Sequence, residues 1–285
     1  MNQHNDERPL IGMVPGQATS DGAGVSLTRY IGSHFLSELD PFLLLDFFES
    51  DDPDDYIAGF PSHPHRGFET VTYLLAGKMR HGDNAGHSGV IETGGIQWMT
   101  AGRGIVHSEM PEQEDGRLAG FQLWVNLPAR DKLCDPAYHE YAADRIPVEN
   151  HSSGGTIRVI TGTTSAGTQG PVRGVVTEPL YLDIELPAHA EFEEMVSPEH
   201  SAFIFGIEGE MQIGGTEGDG QIRSRELGIL GDGARVTVRA GSGGARFLLV
   251  AARALHEPVA RYGPFVMNTR SEIEQAIRDF NSGRF

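Results

Sequence analysis

The sequence predicts an all-β protein of two similar domains with one helix at its end. Three observations carry that reading. Short segments alternate with the period of a strand: in Leu180-Tyr181-Leu182-Asp183-Ile184-Glu185-Leu186 every second residue is aliphatic, the pattern of a half-buried strand. Gly77, Gly86, Gly89, Gly94, Gly95, Gly102 and Gly104 punctuate the first half at turn-like intervals. A weak repeat relates Thr72-Tyr73-Leu74-Leu75-Ala76-Gly77-Lys78-Met79 to Phe203-Ile204-Phe205-Gly206-Ile207-Glu208-Gly209-Glu210-Met211, a strand, a Gly-x-Met and a glycine-rich turn each time. Many short strands with glycine turns build sandwiches or barrels.

Thr70–Leu75 and Phe121–Leu127 read as strands of the first domain and Leu180–Leu186 as one of the second. The join falls near Pro128–Pro147 or in the Ser/Gly/Thr-rich Ser152–Gly170, which divides the chain into domains over 1–140 and 141–285. Only the end has a helical pattern. Ser271 and Glu274 form a capping-box pair, and Ile273, Ala276, Ile277 and Phe280 follow on one apolar face. This helix is expected to dock onto a β domain.

The chain has 285 residues, enough for two cores. It carries 40 acidic against 22 basic side chains, a net charge of -18, which argues against a nucleic-acid surface because phosphate contacts need clustered Lys and Arg. The acidic run Glu49, Asp51, Asp52, Asp54 and Asp55 reads as a solvated loop. Cys134 is the only cysteine, so no intrachain disulfide forms and a reducing compartment is expected. The opening MNQHNDERPL is polar, with no apolar core of a secretory signal. The apolar runs near Phe42–Leu45 and Phe247–Ala252 are too short to span a bilayer. A cytoplasmic protein without a membrane partner is expected.

The chemistry lies in two spaced pairs. His63-Pro64-His65 is answered by His107-Ser108-Glu109. Residues two apart on a strand share a face, so each pair aims two donor groups at one place. Three imidazoles and a carboxylate suit Fe(II), Mn(II), Ni(II), Cu(II) or Zn(II) better than Ca(II) or Mg(II), and leave open positions on a six-coordinate metal. An isolated His-x-His is usually a surface pair. Here Phe60, Phe68, Ile105, Val106 and Met110 flank the pairs, and Gly102-Arg103-Gly104 makes a tight turn just before His107. Buried groups of this kind need partners, and a metal is one. Glu69, His81, Asp83 and His87 stay open as further ligand candidates.

These same residues carry a family resemblance. Phe60-Pro61-Ser62-His63-Pro64-His65-Arg66-Gly67-Phe68-Glu69-Thr70 and Gln97-Trp98-Met99-Thr100-Ala101-Gly102-Arg103-Gly104-Ile105-Val106-His107-Ser108-Glu109-Met110 resemble the two signature stretches of the pirin family. Asp40–Asp46, Gln122–Leu127 and Gly263–Thr269 are also similar to pirins. The resemblance runs from about Val25 to the end and is weakest in Ala143–Thr177 and Gly214–Gly244. It implies a bicupin: two jelly-roll-like β-barrel cupin domains with a C-terminal helix, the first binding metal and the second metal-free. It implies His63, His65, His107 and Glu109 as metal ligands, with Fe(II) foremost and Mn, Ni, Cu, Co or Zn as other metals. Glu69 falls where many other cupins have a ligand and pirins do not.

Several bacterial pirins resemble quercetin 2,3-dioxygenases in activity. The resemblance therefore implies a flavonol-like substrate and O2, with Glu109 as general base at the substrate hydroxyl. Phe47, Phe60, Phe68, Trp98 and Met99 are candidate pocket walls. The competing expectation, drawn from animal pirins, is a metal- or redox-sensing regulator without catalysis, acting through a protein partner.

Overall fold

The computed structural model describes residues 6–214 and 220–285. Met1–Asn5, part of the polar opening stretch, lie outside the described residues. The structure is mostly strand with one helix, and the chain separates into two compact units. One comprises Gln17–Ala143 and Leu255–Phe285; the other comprises Asp144–Ala254 and the chain up to Gly16. These units differ at both ends from the division into 1–140 and 141–285. The physical reason is strand pairing. Leu10–Val14 lies antiparallel to Leu227–Leu230, and Arg66 makes a parallel bridge to Phe265, its N–H donating to the Pro264 carbonyl and its carbonyl accepting from the Val266 N–H.

Two antiparallel sheets build the first unit, with a two-stranded ribbon of Ala260–Tyr262 and Phe265–Met267 beside them. The larger has seven strands in the spatial order Ala137–Tyr141, Ile96–Thr100, Phe68–Ala76, Leu118–Asn126, Phe42–Ser50, Val25–Ile31 and Gln17–Asp21. The smaller has the order Phe60–His65, Ile105–Pro111, Lys78–Asp83 and Ser88–Glu92. Neither closes into a barrel; they are the two faces of a cupin-like sandwich. A core of Phe48, Leu74 and Leu118 from the large sheet meets Met79 and Ile91 from the small one. The acidic run is more ordered than a loop: Glu49 ends a strand, and Asp52 caps a single 3-10 turn over Pro53–Asp55.

In the second unit one sheet does the work of both layers. Its 14-residue strand His200–Ile213 and 19-residue strand Arg235–Arg253 run antiparallel. Their register shifts between Gly206 and Glu208 and between Gly209 and Met211. Such bulges bend a strand and raise its twist. In Leu180–Leu186 the four aliphatic residues are buried as expected, and on the other face Tyr181 and Asp183 are buried too, Asp183 paired with Arg246 at 2.7 Å, while Glu185 is exposed.

The helix spans Arg270–Asn281, and its capping box is Thr269 with Glu272, not Ser271 with Glu274. Thr269 is extended (φ -134°, ψ 156°), so it stands outside the helix as a cap must; Ser271 is already within the first turn. Ile273 and Ala276 pack on Phe265 and Met267. Among the described residues no helix is long and apolar enough to cross a membrane.

Candidate metal centre

The Phe60–His65 and Ile105–Pro111 strands bring the two spaced pairs together. His63 is the direct Cα partner of His107, and Ile105 that of His65. Beyond this point the register slips, and Glu109 pairs with Phe60. Pro61 lies in the slip; it has no N–H to give to a ladder, so a bulge there is the natural accommodation. Positive φ at Gly102 (49°) and Gly104 (140°) makes the turn that starts the His107 strand.

The imidazoles of His63, His65 and His107 each offer a nitrogen within 4.8 Å of the others. Their ring centroids are 4.5 to 5.0 Å apart. His65 and His107 are buried and His63 is half-buried. Burial, then the neighbouring imidazoles, holds His65 well below the usual histidine range. Burial likewise pushes His107 down to about 4, against the pull of Glu109. Both rings are thus neutral near pH 7, as a metal ligand must be.

Two details favour a cation here. Neither ring nitrogen of buried His107 has a hydrogen-bond partner among the described residues, and orphaned buried polar atoms are costly. His63 Nδ1 lies 2.8 Å from the Pro61 carbonyl oxygen, so its proton sits there. Its Nε2 keeps a lone pair, aimed at Nε2 of His65 only 3.0 Å away. The donor set fits a divalent transition metal.

Glu109 stands apart from that trio. Its carboxylate is buried; Oε1 accepts from the Thr72 hydroxyl at 2.6 Å and Oε2 from the Gln122 amide at 2.8 Å. Thr72 and Gln122 are cross-strand partners on the large sheet, so Glu109 bridges the two sheets. Glu69 is buried and accepts from Thr100 at 2.7 Å; burial pushes its carboxyl up to about 7. His81 pairs with Glu140, and His87 with Asp83 at 2.8 Å. Among the described residues, neither Glu109 nor any of Glu69, His81, Asp83 and His87 joins the group of three histidines.

A cavity of about 570 Å³ opens onto His63, His65 and Glu109. Of the five expected walls only Phe60 lines it. Phe47, Phe68, Trp98 and Met99 are buried core residues instead. The walls that sequence reading missed are Leu44, Phe48, Trp124, Arg29, Asp46 and Arg261. Trp124 stands edge-on to His65 at 5.2 Å.

Supports outside the cavity were missed as well. Buried Lys132 donates to the carbonyls of Gly67 and Val266 and to Asn126 Oδ1, at 2.8, 3.1 and 2.8 Å. Arg66, next to His65, reaches Asp279 on the helix at 2.8 Å.

The pirin sequence profile matches residues 24–125, and the profile of the pirin C-terminal cupin domain matches residues 181–285. The chain belongs to the pirin family. A pirin-like protein of Caulobacter vibrioides is 52% identical, with 98% of this chain and 99% of that one aligned. A Pseudomonas aeruginosa relative, provisionally named a quercetin 2,3-dioxygenase, is 46% identical over 97% of both chains. The crystal structure of a quercetin 2,3-dioxygenase from Acinetobacter baumannii superposes with a TM-score of 0.88 at 32% identity, covering 98% of each chain. These pirin matches agree with an all-β structure of two cupin domains and a helix.

Proposed function

We propose that this pirin is a metal-dependent dioxygenase that opens a flavonol-like ring with O2. The observation that carries the reading is convergence: His63, His65 and Glu109 line one cavity with apolar and aromatic walls, and His107 joins the two histidines in one cluster of ring nitrogens. Pockets of this size and lining suit small aromatic ligands. The dioxygenase names borne by the Pseudomonas and Acinetobacter relatives support it.

In this reading His63, His65 and His107 hold the metal, with Glu109 as fourth ligand on the strength of the family resemblance and Fe(II) as the favoured ion. A bound transition metal supplies Lewis acidity and one-electron redox chemistry. The chain's own groups do the rest. The apolar walls orient the flat substrate and keep bulk water out. Glu109 takes the proton of the acidic hydroxyl, with Thr72 and Gln122 holding its carboxylate in place. Thr72 Oγ1 also lies 2.9 Å from Gln122 Oε1. It has one hydrogen for two acceptors. A proton arriving on Glu109 can therefore be shared with Thr72, which then donates to Gln122, and no buried group loses its partner.

The test is to load the protein with Fe(II), Mn, Ni, Co, Cu and Zn in turn. Flavonol absorbance and carbon monoxide are then followed under O2. Turnover with at least one metal, reduced in Glu109→Gln, is expected. No turnover with any metal, in protein that retains the metal, would sink the enzyme reading and leave the metal-sensing regulator.

A further inference from the structure

The same cavity carries a cation that the proposed chemistry does not use. Arg29 and Arg261 both line it. Arg29 is committed: Nε and Nη2 grip both oxygens of buried Asp46 at 2.8 and 2.7 Å, and Nη2 also meets Asp21 at 2.7 Å. Arg261 makes no ion pair among the described residues. Its hydrogen bond goes to a neutral acceptor, the Leu43 carbonyl, from Nη1 at 3.2 Å. Asp46, Asp21 and Glu38 act on it only at a distance, and Arg29 repels it. In a chain with 40 acidic and 22 basic side chains, a guanidinium left without a carboxylate beside a cavity is informative.

Its orientation adds to this. The Arg261 guanidinium lies over the Trp124 ring, 4.8 Å from the centroid. Stacking occupies the face of the guanidinium and fixes its plane. The N–H donors lie in that plane and stay available at the edge. A fixed, planar fork suits a carboxylate, which it can meet with two parallel hydrogen bonds. One such cation matches a monoanion better than a phosphate dianion.

We propose that Arg261 is a specificity residue that receives the carboxylate of an aromatic or enolisable acid, whose chelating oxygens lie toward His63 and His65. The proposal rests on the reading of this cavity as the substrate site. It narrows the substrate class from neutral flavonols to molecules with an acidic group on the Arg261 side of Trp124. The Trp124 ring, between His65 and Arg261, packs against the body of such a ligand.

The test compares 3-hydroxyflavone with 3-hydroxyflavone-4′-carboxylate on the metal-loaded full chain, by calorimetry at low ionic strength. The carboxylate is expected to bind about tenfold more tightly. Arg261→Met is expected to abolish that preference and Arg261→Lys to keep part of it. Equal affinities in the parent protein, or a preference that survives Arg261→Met, would overturn the proposal. Benzoate against benzamide on the metal-free protein separates this from the dioxygenase reading, since it needs neither metal nor turnover. Saturable benzoate binding that Arg261→Met removes supports the subsite even if no flavone is cleaved. Absence of benzoate binding together with no preference between the flavones refutes it.

Discussion

His63 and His107 face each other as direct cross-strand partners, with ring centroids 4.5 Å apart. Replacing His107 by Leu keeps the volume and removes two ring nitrogens that have no partner among the described residues. Metal affinity should fall by about tenfold or more, by analogy with losses around metal sites. The metal-free protein should gain about 1 kcal/mol or more, because a costly desolvated pair of atoms is gone. Metal content after dialysis and urea midpoints of the stripped protein check both. Undiminished metal content would remove His107 from the ligand set.

Thr72→Val leaves one oxygen of the buried Glu109 carboxylate without its donor. A cost of about 1–3 kcal/mol is expected, since the group stays buried. Thr72→Ser should restore most of it. Equal urea midpoints for Val and the parent protein would show that Glu109 does not depend on this bond.

Gly67 has φ of 87°, and a Cβ there would lie 1.9 Å from the Val266 carbonyl oxygen. The close approach brings the Phe265–Met267 strand against the residue two past His65. Gly67→Ala should cost about 3 kcal/mol or more, combining strain with backbone displacement. Metal retention should fall with it. A variant with a parental midpoint would mean that residues 264–268 yield freely.

Glu69 predicts a pH dependence with a defined sign. Its folded-state carboxyl sits at about 7 and an ordinary glutamate at 4.5. Between those values the folded chain holds a proton that the unfolded chain has released. Stability is then greatest below pH 4.5 as far as this group is concerned, falls as pH rises to 7, and levels above it. Glu69→Gln should flatten that part of the profile and exceed the parent by up to about 3 kcal/mol at pH 8. Parallel profiles from pH 5 to 8 would show that Glu69 is ionised throughout.

The cluster of three histidines was legible because a spacing of two on a strand is local geometry, readable without knowing what the strand touches. His63, His65 and His107 need only that and one register. The cavity walls were not legible. Phe48 and Trp124 line it while Phe47 and Trp98 do not, and which member of an alternating strand faces the cavity depends on pairings such as Trp124 with Leu44. Arg261 comes from a three-residue strand with no pattern of its own. The helix was legible from its apolar face, but its cap lay two residues earlier than expected, since Thr and Ser both qualify and only the backbone angle decides.

Neither compact unit is an unbroken stretch of chain. During synthesis, all of Gln17–Ala143 leaves the ribosome well before Phe265–Met267, which supplies Val266 to Lys132 and to Arg66. Until then Lys132 lacks one of its three acceptors, and Arg66, next to His65, lacks its backbone partners Pro264 and Val266. The histidine unit therefore has most of its chain made early and yet finishes last, after the whole of Asp144–Ala254 has been made. A nascent chain halted at residue 250 would carry every histidine of the centre and still be unable to complete its surroundings.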